Sequence, residues 1–145
     1  MRLQLALNVR DLDEAVAYYG KLFNAKPHKQ RPGYANFAID QPPLKLVLFE
    51  NADAAERLNH LGVEVFDAGE VEASARRLEA AGILDEVQRD STCCHATQDK
   101  AWSTEPQGLR WEWYRITDDA PGIANQEQAS GCCGETAEAV RICCE

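Results

Sequence analysis

The chain has 145 residues, a length typical of one domain or of two half-size units that share a core. Its formal net charge of −9 argues against a nucleic acid or an anionic membrane as partner, because both require a basic surface. The sequence has no apolar run of the roughly 18 residues that span a membrane and no signal-peptide layout at its N-terminus, so a cytoplasmic location is expected.

The first predicted module covers about residues 2–50 and begins with a strand. Apolar residues alternate with other residues there, as they do in a half-buried strand, at Leu5, Leu7 and Val9. Asp11, with Glu14 three residues later, predicts the N-terminus of a helix. That helix carries one apolar stripe, formed by Leu12, Val16 and Tyr19. Two further strands are predicted at about 34–39 and 45–50.

The second predicted module, about residues 60–116, repeats the first. The segment HLGVEVFDAGEVEASARRLE, which starts at His60, aligns with QLALNVRDLDEAVAYYGKLF, which starts at Gln4, at an offset of 56. Asp67 is the predicted N-cap of its helix, and Gly82 is the predicted stop. Its later strands are predicted at about 85–89, 96–103 and 110–115.

Toward the end of the two modules the offset increases. Leu44 aligns with Leu109 and Phe37 with Trp102, an offset of 65, so the second module carries an insertion of nine residues. The insertion falls around DSTCCHATQ. A segment that is present in only one copy of a repeat is a good candidate for function.

The six cysteines form three adjacent pairs, namely Cys93–Cys94, Cys132–Cys133 and Cys143–Cys144. Neighbours in sequence make poor structural disulfides, because the small ring strains the peptide and closes no long loop. In a reducing compartment thiols are expected, and three thiol pairs suggest capture of a soft metal or metalloid. The last two pairs lie in residues 117–145, which have no sustained apolar period and are expected to form a flexible tail.

Two βαβββ modules side by side would give an α+β fold, in which the sheets curl into a shared cup and the helices lie outside. Strand alternation then places Gln4, His60 and Glu112 inside the cup. An amide oxygen, an imidazole and a carboxylate that converge form a plausible site for a divalent metal. Val47 occupies the position equivalent to Glu112 in the first module, so only three protein ligands are expected, which leaves positions open for O2 and substrate.

Ordinary structural roles compete with this interpretation. Gln4 could be a polar strand residue, His60 a hydrogen-bonded core histidine, and Glu112 an ion-pair partner of Arg110 or Arg115. The equivalent repeat positions of Gln4 and His60 favour the metal site. His28 has no such support and is expected at the surface. For His95, proton transfer or substrate contact and a solvated loop position remain equally open.

The repeat itself carries a family resemblance over residues 2–116. QLALNVRDLDEAVAYYGKLF, restarted by HLGVEV, resembles the glyoxalase/bleomycin-resistance/extradiol-dioxygenase superfamily, also called the vicinal-oxygen-chelate superfamily. Within it RPGYANFAI, PPLKLVLFE, LNHLGVEV and STCCHATQDKAW are similar to the organoarsenical C–As lyases and the cadmium-induced proteins grouped with them. The adjacent cysteines at this location are the most specific part of the resemblance.

The resemblance implies Fe(II) held by Gln4, His60 and Glu112, and trivalent arsenic bound by Cys93 and Cys94. It implies an O2-dependent lyase that cleaves the carbon–arsenic bond of methylarsenite or trivalent aromatic arsenicals and releases arsenite, conferring arsenical resistance. The ligands alone would also accept Mn, Co, Ni or Zn. A non-catalytic protein that sequesters cadmium or arsenite is the main alternative, and a different enzyme of the superfamily is the third. A homodimer is compatible with paired modules.

Overall fold

The computed structural model describes residues 1–93 and 96–119. The elements in this part of the chain are, in order, β1 (Arg2–Val9), α1 (Leu12–Leu22), β2 (Lys29–Arg31), β3 (Tyr34–Ile39), β4 (Leu44–Glu50), β5 (Leu58–Glu64), α2 (Ala68–Ala80), β6 (Glu86–Cys93), β7 (Ala96–Thr104) and β8 (Arg110–Asp118). The order βαβββ occurs twice, which confirms the predicted α+β class with paired βαβββ modules.

The chain divides into two compact units, Met1–Glu64 and a unit that starts at Val65. In the first unit the strands lie side by side in the order β2-β3-β4-β1-β5. There β1 is parallel to β4 and antiparallel to β5, which places the start of the second sequence repeat in the first unit. In the second unit the order is β8-β7-β6, and both pairings are antiparallel.

Both helices begin where the sequence predicts, and the second also ends at its predicted stop. The Asp11 side chain accepts a hydrogen bond from the Glu14 backbone N–H at 2.8 Å, and Asp67 forms a reciprocal capping box with Glu70. After α2, Gly82 adopts a φ of 70°, a left-handed conformation that glycine adopts without a steric penalty. Neither of these helices, within residues 1–93 and 96–119, is long and apolar enough to cross a membrane.

Each helix covers one face of the strands in its own unit. In the first unit, β3 and β4 supply a fully buried cluster on this face, which includes Phe37, Leu46 and Leu48. Leu5, Leu7, Val16 and Tyr19 pack against that cluster, as predicted. In the second unit α2 buries Val71, Ala75 and Leu78. Full burial of one such aliphatic side chain contributes about 1.5–3 kcal/mol.

One predicted alignment between the modules is wrong by a single residue. Phe37 packs on the helix face of the first unit, whereas Trp102 pairs with Glu112 on the opposite face of the second unit. Since Val47 is the counterpart of Glu112 and pairs with Asn36, the residue equivalent to Trp102 is Asn36. Strand side chains alternate with a period of two, so this one-residue slip moves an aromatic ring to the other face.

The β6–β7 hairpin contains a bulge that sequence patterning did not predict. Gln88 pairs with Lys100 and Ser91 pairs with Gln98, so two residues of β6 stand opposite Asp99 alone. One of them, Asp90, has a φ of 48°, and its N–H donates to the Asp99 carboxylate at 3.0 Å. The bulge restores the pairing, and β6 therefore continues to Cys93 instead of ending near residue 89.

Truncation after about residue 120 is expected to leave a folded, active enzyme. The described strands and helices end by Asp118, and the remaining sequence offers too little apolar surface to offset the entropy lost on ordering it. Thermal unfolding and a turnover assay check this on the truncated and full-length chains. Loss of the unfolding transition or of turnover would contradict the prediction, whereas a modest fall in total arsenic bound would not.

Candidate metal site and thiol site

Gln4 and His60 meet on the face of the first unit that lies opposite its helix. β1 pairs with β5 so that Ala6 stands opposite His60 and Gln4 opposite Gly62. The Gln4 Nε2 atom lies 3.0 Å from the His60 Nε2 atom, and both side chains are buried. This is the proximity that the repeat symmetry predicts; their role as metal ligands remains a prediction.

A chain of hydrogen bonds fixes which nitrogen of His60 carries the proton. The side-chain NH2 group of Asn8 donates to the backbone carbonyl of Glu56 at 2.9 Å. The side-chain oxygen of Asn8 must therefore point away from that carbonyl. That oxygen accepts from the Asn59 amide at 3.0 Å, which in turn directs the Asn59 oxygen at His60 Nδ1, 2.7 Å away. Nδ1 is therefore the protonated nitrogen, and Nε2 presents its lone pair toward Gln4.

This arrangement fits a divalent metal. A histidine that ligates through one nitrogen almost always donates from the other to a carbonyl or carboxylate oxygen, and Asn59 supplies that oxygen. In the present arrangement the Gln4 amide N–H donates to the His60 Nε2 lone pair. Rotation of the amide by half a turn would put its oxygen in the same place, so an amide oxygen and an imidazole nitrogen would converge.

Replacement of Asn59 by alanine is expected to lower the affinity for a divalent metal about 10- to 100-fold, because His60 loses the partner that orients its ring. Titration of the metal-free protein with Mn²⁺ measures this. Asn51→Ala, at an exposed position, is the matched control and is expected to bind as the wild type does. Equal affinity in the Asn59 and Asn51 variants would show that the ring orientation does not depend on Asn59.

Glu112, the third predicted ligand, lies on β8 in the second compact unit. It stands opposite Trp102 of β7 and is among the most deeply buried side chains described. Its Oε2 atom lies 3.1 Å from the Nζ atom of Lys100, a residue that is itself buried. Sequence reasoning expected the alternative ion-pair partner to be Arg110 or Arg115. It missed Lys100, which the register of the β7–β8 hairpin places on the same face.

A second buried lysine was also missed. Lys45 of β4 stands beside Gln4 in the register, and its Nζ atom lies 3.5 Å from the Glu64 carboxylate. Arg2 also forms an ion pair with Glu64. The alternation of β4 contained the signal, because Lys45 precedes Val47 by two residues and therefore shares the face on which a ligand was expected in the other module.

Cys93 is the described member of the predicted thiol site. It ends β6 opposite Ala96, is 2% exposed, and its backbone carbonyl accepts a hydrogen bond from the Gln98 amide at 3.1 Å. Cys94 and His95 lie outside the described residues, as do the four cysteines of the predicted tail. The pairing of Cys93 with Ala96 therefore places Cys93 in the last described residue pair of the β6–β7 hairpin.

Cys93 of β6 and Glu112 of β8 pair with residues near opposite ends of β7. Cys93 stands opposite Ala96, whereas Glu112 stands opposite Trp102, six residues farther along the strand. A strand rises about 3.3 Å per residue, so the two positions are separated by roughly 20 Å along β7. In this conformation arsenic bound at Cys93 would be far from the Glu112 carboxylate.

The other described histidine and acidic residues do not form a second candidate metal site. His28 is exposed, as predicted. In residues 1–93 and 96–119 no group of three or more His, Cys, Asp or Glu side chains is close enough to hold a metal ion. The predicted site is of a different kind, because one of its three ligands is an amide.

Comparison with known proteins identifies the family. The sequence model of the Glyoxalase/Bleomycin resistance protein/Dioxygenase superfamily matches residues 3–113. The chain belongs to this superfamily. Within it, the chain is 50% identical to the cadmium-induced protein CadI of Mycobacterium tuberculosis, over 91% of this chain and 92% of the relative. It is 51% identical to a trivalent organoarsenical cleaving enzyme of Thermomonospora curvata, over 91% of this chain and 87% of the relative.

Solved structures agree with the fold assignment. A superfamily member from Vibrio splendidus aligns over 79% of this chain and 97% of its own, with a TM-score of 0.55 at 16% identity. The Mn(II)-bound glyoxalase of Novosphingobium aromaticivorans aligns over 81% of this chain and 39% of its own, with a TM-score of 0.60 at 20% identity. At these identities the likeness concerns the fold alone.

Proposed function

We propose that this protein is an Fe(II)- and O2-dependent enzyme of the cytoplasm that cleaves the carbon–arsenic bond of trivalent organoarsenicals to give arsenite. The observation that supports this most directly is His60, whose Nδ1 is held by Asn59 so that Nε2 is directed at Gln4. The proposal is further supported by the 51% identity to a trivalent organoarsenical cleaving enzyme.

Each residue of the site has a distinct role in this proposal. Gln4, His60 and Glu112 would hold the iron, which would supply the redox chemistry for oxidative cleavage of the carbon–arsenic bond with O2 as the oxidant. His60 is already in the tautomer that a metal requires, so binding needs no proton rearrangement on the ring. Cys93 and Cys94 bind the substrate, because As(III) is soft and two neighbouring thiolates chelate it.

Substrate binding through two sulfurs leaves the organic substituent as the only group on arsenic that projects away from the thiol pair. If that substituent is brought to the metal ligands, the reacting bond is held in one orientation, and the bimolecular reaction becomes effectively intramolecular. The roughly 20 Å between Cys93 and Glu112 along β7 must be closed during turnover for this to happen.

That separation favours one alternative function, a protein that sequesters cadmium or arsenite without catalysis. In such a protein the thiol pairs bind independently of the Gln4–His60 face, and no approach between them is needed. The 50% identity to a cadmium-induced protein is compatible with it. It gives no reason for the hydrogen-bond chain that orients His60, which is why the lyase is preferred.

The deciding experiment loads the protein with Fe(II) without oxygen, adds methylarsenite, and then admits O2 while the arsenic species are separated and quantified. A lyase produces arsenite over several turnovers, only with O2, and produces none when loaded with redox-inactive Zn²⁺. A sequestering protein retains methylarsenite unchanged under all these conditions. The reducing agent must be one that does not chelate arsenic, because a dithiol would compete with the thiol site.

A further inference from the structure

The ion pair between Lys100 and Glu112 is not explained by the fold or by the proposed reaction. The side chains are 5% and 2% exposed, and Nζ lies 3.1 Å from Oε2. To take two charges out of water costs several kcal/mol for each ion, so a buried pair often adds nothing to stability compared with apolar residues. A carboxylate that is kept buried and charged at this cost is therefore expected to serve another purpose.

We propose that Lys100 is the counter-cation of Glu112 in the metal-free protein and that it yields this carboxylate when a divalent metal binds. Lys100 thereby sets the metal affinity of the site. The inference rests on the proposed role of Glu112 as a metal ligand. It adds a positioning residue to the site, one that acts on the metal through the carboxylate and without ligating it.

The charge of Lys100 has opposite effects on the site with and without metal. Without metal, the ammonium of Lys100 neutralises Glu112 inside the protein. With metal, two positive charges arrive within a few ångströms of that ammonium, and their repulsion lowers the affinity.

The ring of Trp102 offers the displaced ammonium a favourable place. Nζ of Lys100 already lies 5.4 Å from its centroid, within the range of a cation–π contact. The ammonium would keep this contact when the carboxylate turns to the metal, on a ring whose centroid also lies 4.1 Å from the guanidinium carbon of Arg110. A lysine with no such neighbour would have to reach water or remain unpaired.

Lys45 and Glu64 provide a matched comparison in the first unit. Their atoms Nζ and Oε1 lie 3.5 Å apart, and the side chains are 7% and 4% exposed. Glu64 is not a predicted metal ligand, and it retains Arg2 as a partner when Lys45 is removed. Lys45 stands beside Gln4 but is not paired with a predicted ligand, so Lys45→Met is expected to lower the thermal stability and to raise the metal affinity less than Lys100→Met does.

The test compares Lys100→Met, Lys100→Arg, Lys45→Met and the wild type by thermal unfolding and by Mn²⁺ titration, both independent of turnover. Lys100→Met leaves a buried carboxylate with its main counter-charge removed. We expect its metal-free unfolding temperature to fall by several degrees and its Mn²⁺ affinity to rise about tenfold or more. Lys100→Arg keeps the charge and is expected to stay close to the wild type.

Unchanged or weaker Mn²⁺ binding by Lys100→Met would overturn the proposal, because Lys100 would then assist the metal or have no effect on it. If this variant fails to fold without metal, refolding with Mn²⁺ decides the question: recovery only with metal supports the proposal, and failure in both conditions contradicts it. Glu112→Gln distinguishes failure of this inference from failure of the proposed function. Wild-type Mn²⁺ affinity in that variant would exclude Glu112 as a metal ligand, which the proposed function requires.

Discussion

Alanine at His60 or at Glu112 is expected to abolish O2-dependent turnover and to weaken Fe(II) binding, while trivalent arsenicals still bind. Each change removes one of only three proposed protein ligands. The loss in metal affinity is therefore expected to exceed the roughly 10- to 100-fold that follows when a ligand merely loses its hydrogen-bond partner. Anaerobic Fe(II) titration and arsenic speciation measure the two effects on the same samples.

The chain offers matched controls for both substitutions. His28→Ala removes an exposed histidine and Glu79→Ala an exposed glutamate, and both variants are expected to behave as the wild type does. Glu112→Ala also removes the carboxylate that is paired with the buried Lys100, a change that costs about 3–5 kcal/mol for a typical buried ion pair, so the thermal stability of this variant must be measured alongside. Full activity with iron retained in either alanine variant would exclude that residue from the ligand set.

Serine at Cys93 or at Cys94 is expected to destroy turnover of trivalent organoarsenicals and to leave Fe(II) affinity nearly unchanged. Serine keeps the size of cysteine, but it is a hard oxygen donor that stays protonated near neutral pH and does not replace a thiolate toward As(III). Cys93 also lies roughly 20 Å from Glu112 along β7, so its loss should not disturb the metal ligands. Turnover of the organoarsenical and Fe(II) affinity are measured on the same samples of each serine variant.

The four tail cysteines supply the contrast. With all four changed to serine, total bound arsenic or cadmium should fall while turnover is preserved. In a sequestering protein each pair would contribute comparably to bound metal, and the wild type would form no O2-dependent product. Unchanged turnover in both Cys93→Ser and Cys94→Ser would exclude chelation of the substrate by this pair.

The parts of the fold that depend on neighbouring residues could be predicted from the sequence. Asp11 and Asp67 cap their helices through side chains and N–H groups two or three residues away, and those groups are fixed by local spacing. The proximity of Gln4 and His60 could also be predicted, because each is the first residue of an equivalent strand–helix unit in the two copies of the repeat.

The features of the fold that depend on which residues pair between strands were not predicted from the sequence. The alignment of Phe37 with Trp102 matched two aromatic residues, but the hydrogen-bonded register places them on opposite faces. No position was predicted for Lys100 or Lys45, because a lysine is rarely buried without a partner and the partner is set by a strand that comes later in the chain. β2, with three polar residues, has too little alternation to be recognised.

The bulge at Asp90 divides the β6–β7 hairpin into two parts with different freedom to evolve. Before the bulge, Gln88 pairs with Lys100 and is tied to the strand that faces Glu112. After it, only three pairs, from Ser91 to Cys93, hold the tip. Insertions, deletions or exchanged donor residues in the tip would be absorbed at Asp90 without a shift in the register around Lys100 and Trp102. The hairpin is thus suited to grafting, with the tip replaced by loops of other chemistry while the register of β7 and β8 around Lys100 and Trp102 stays unchanged.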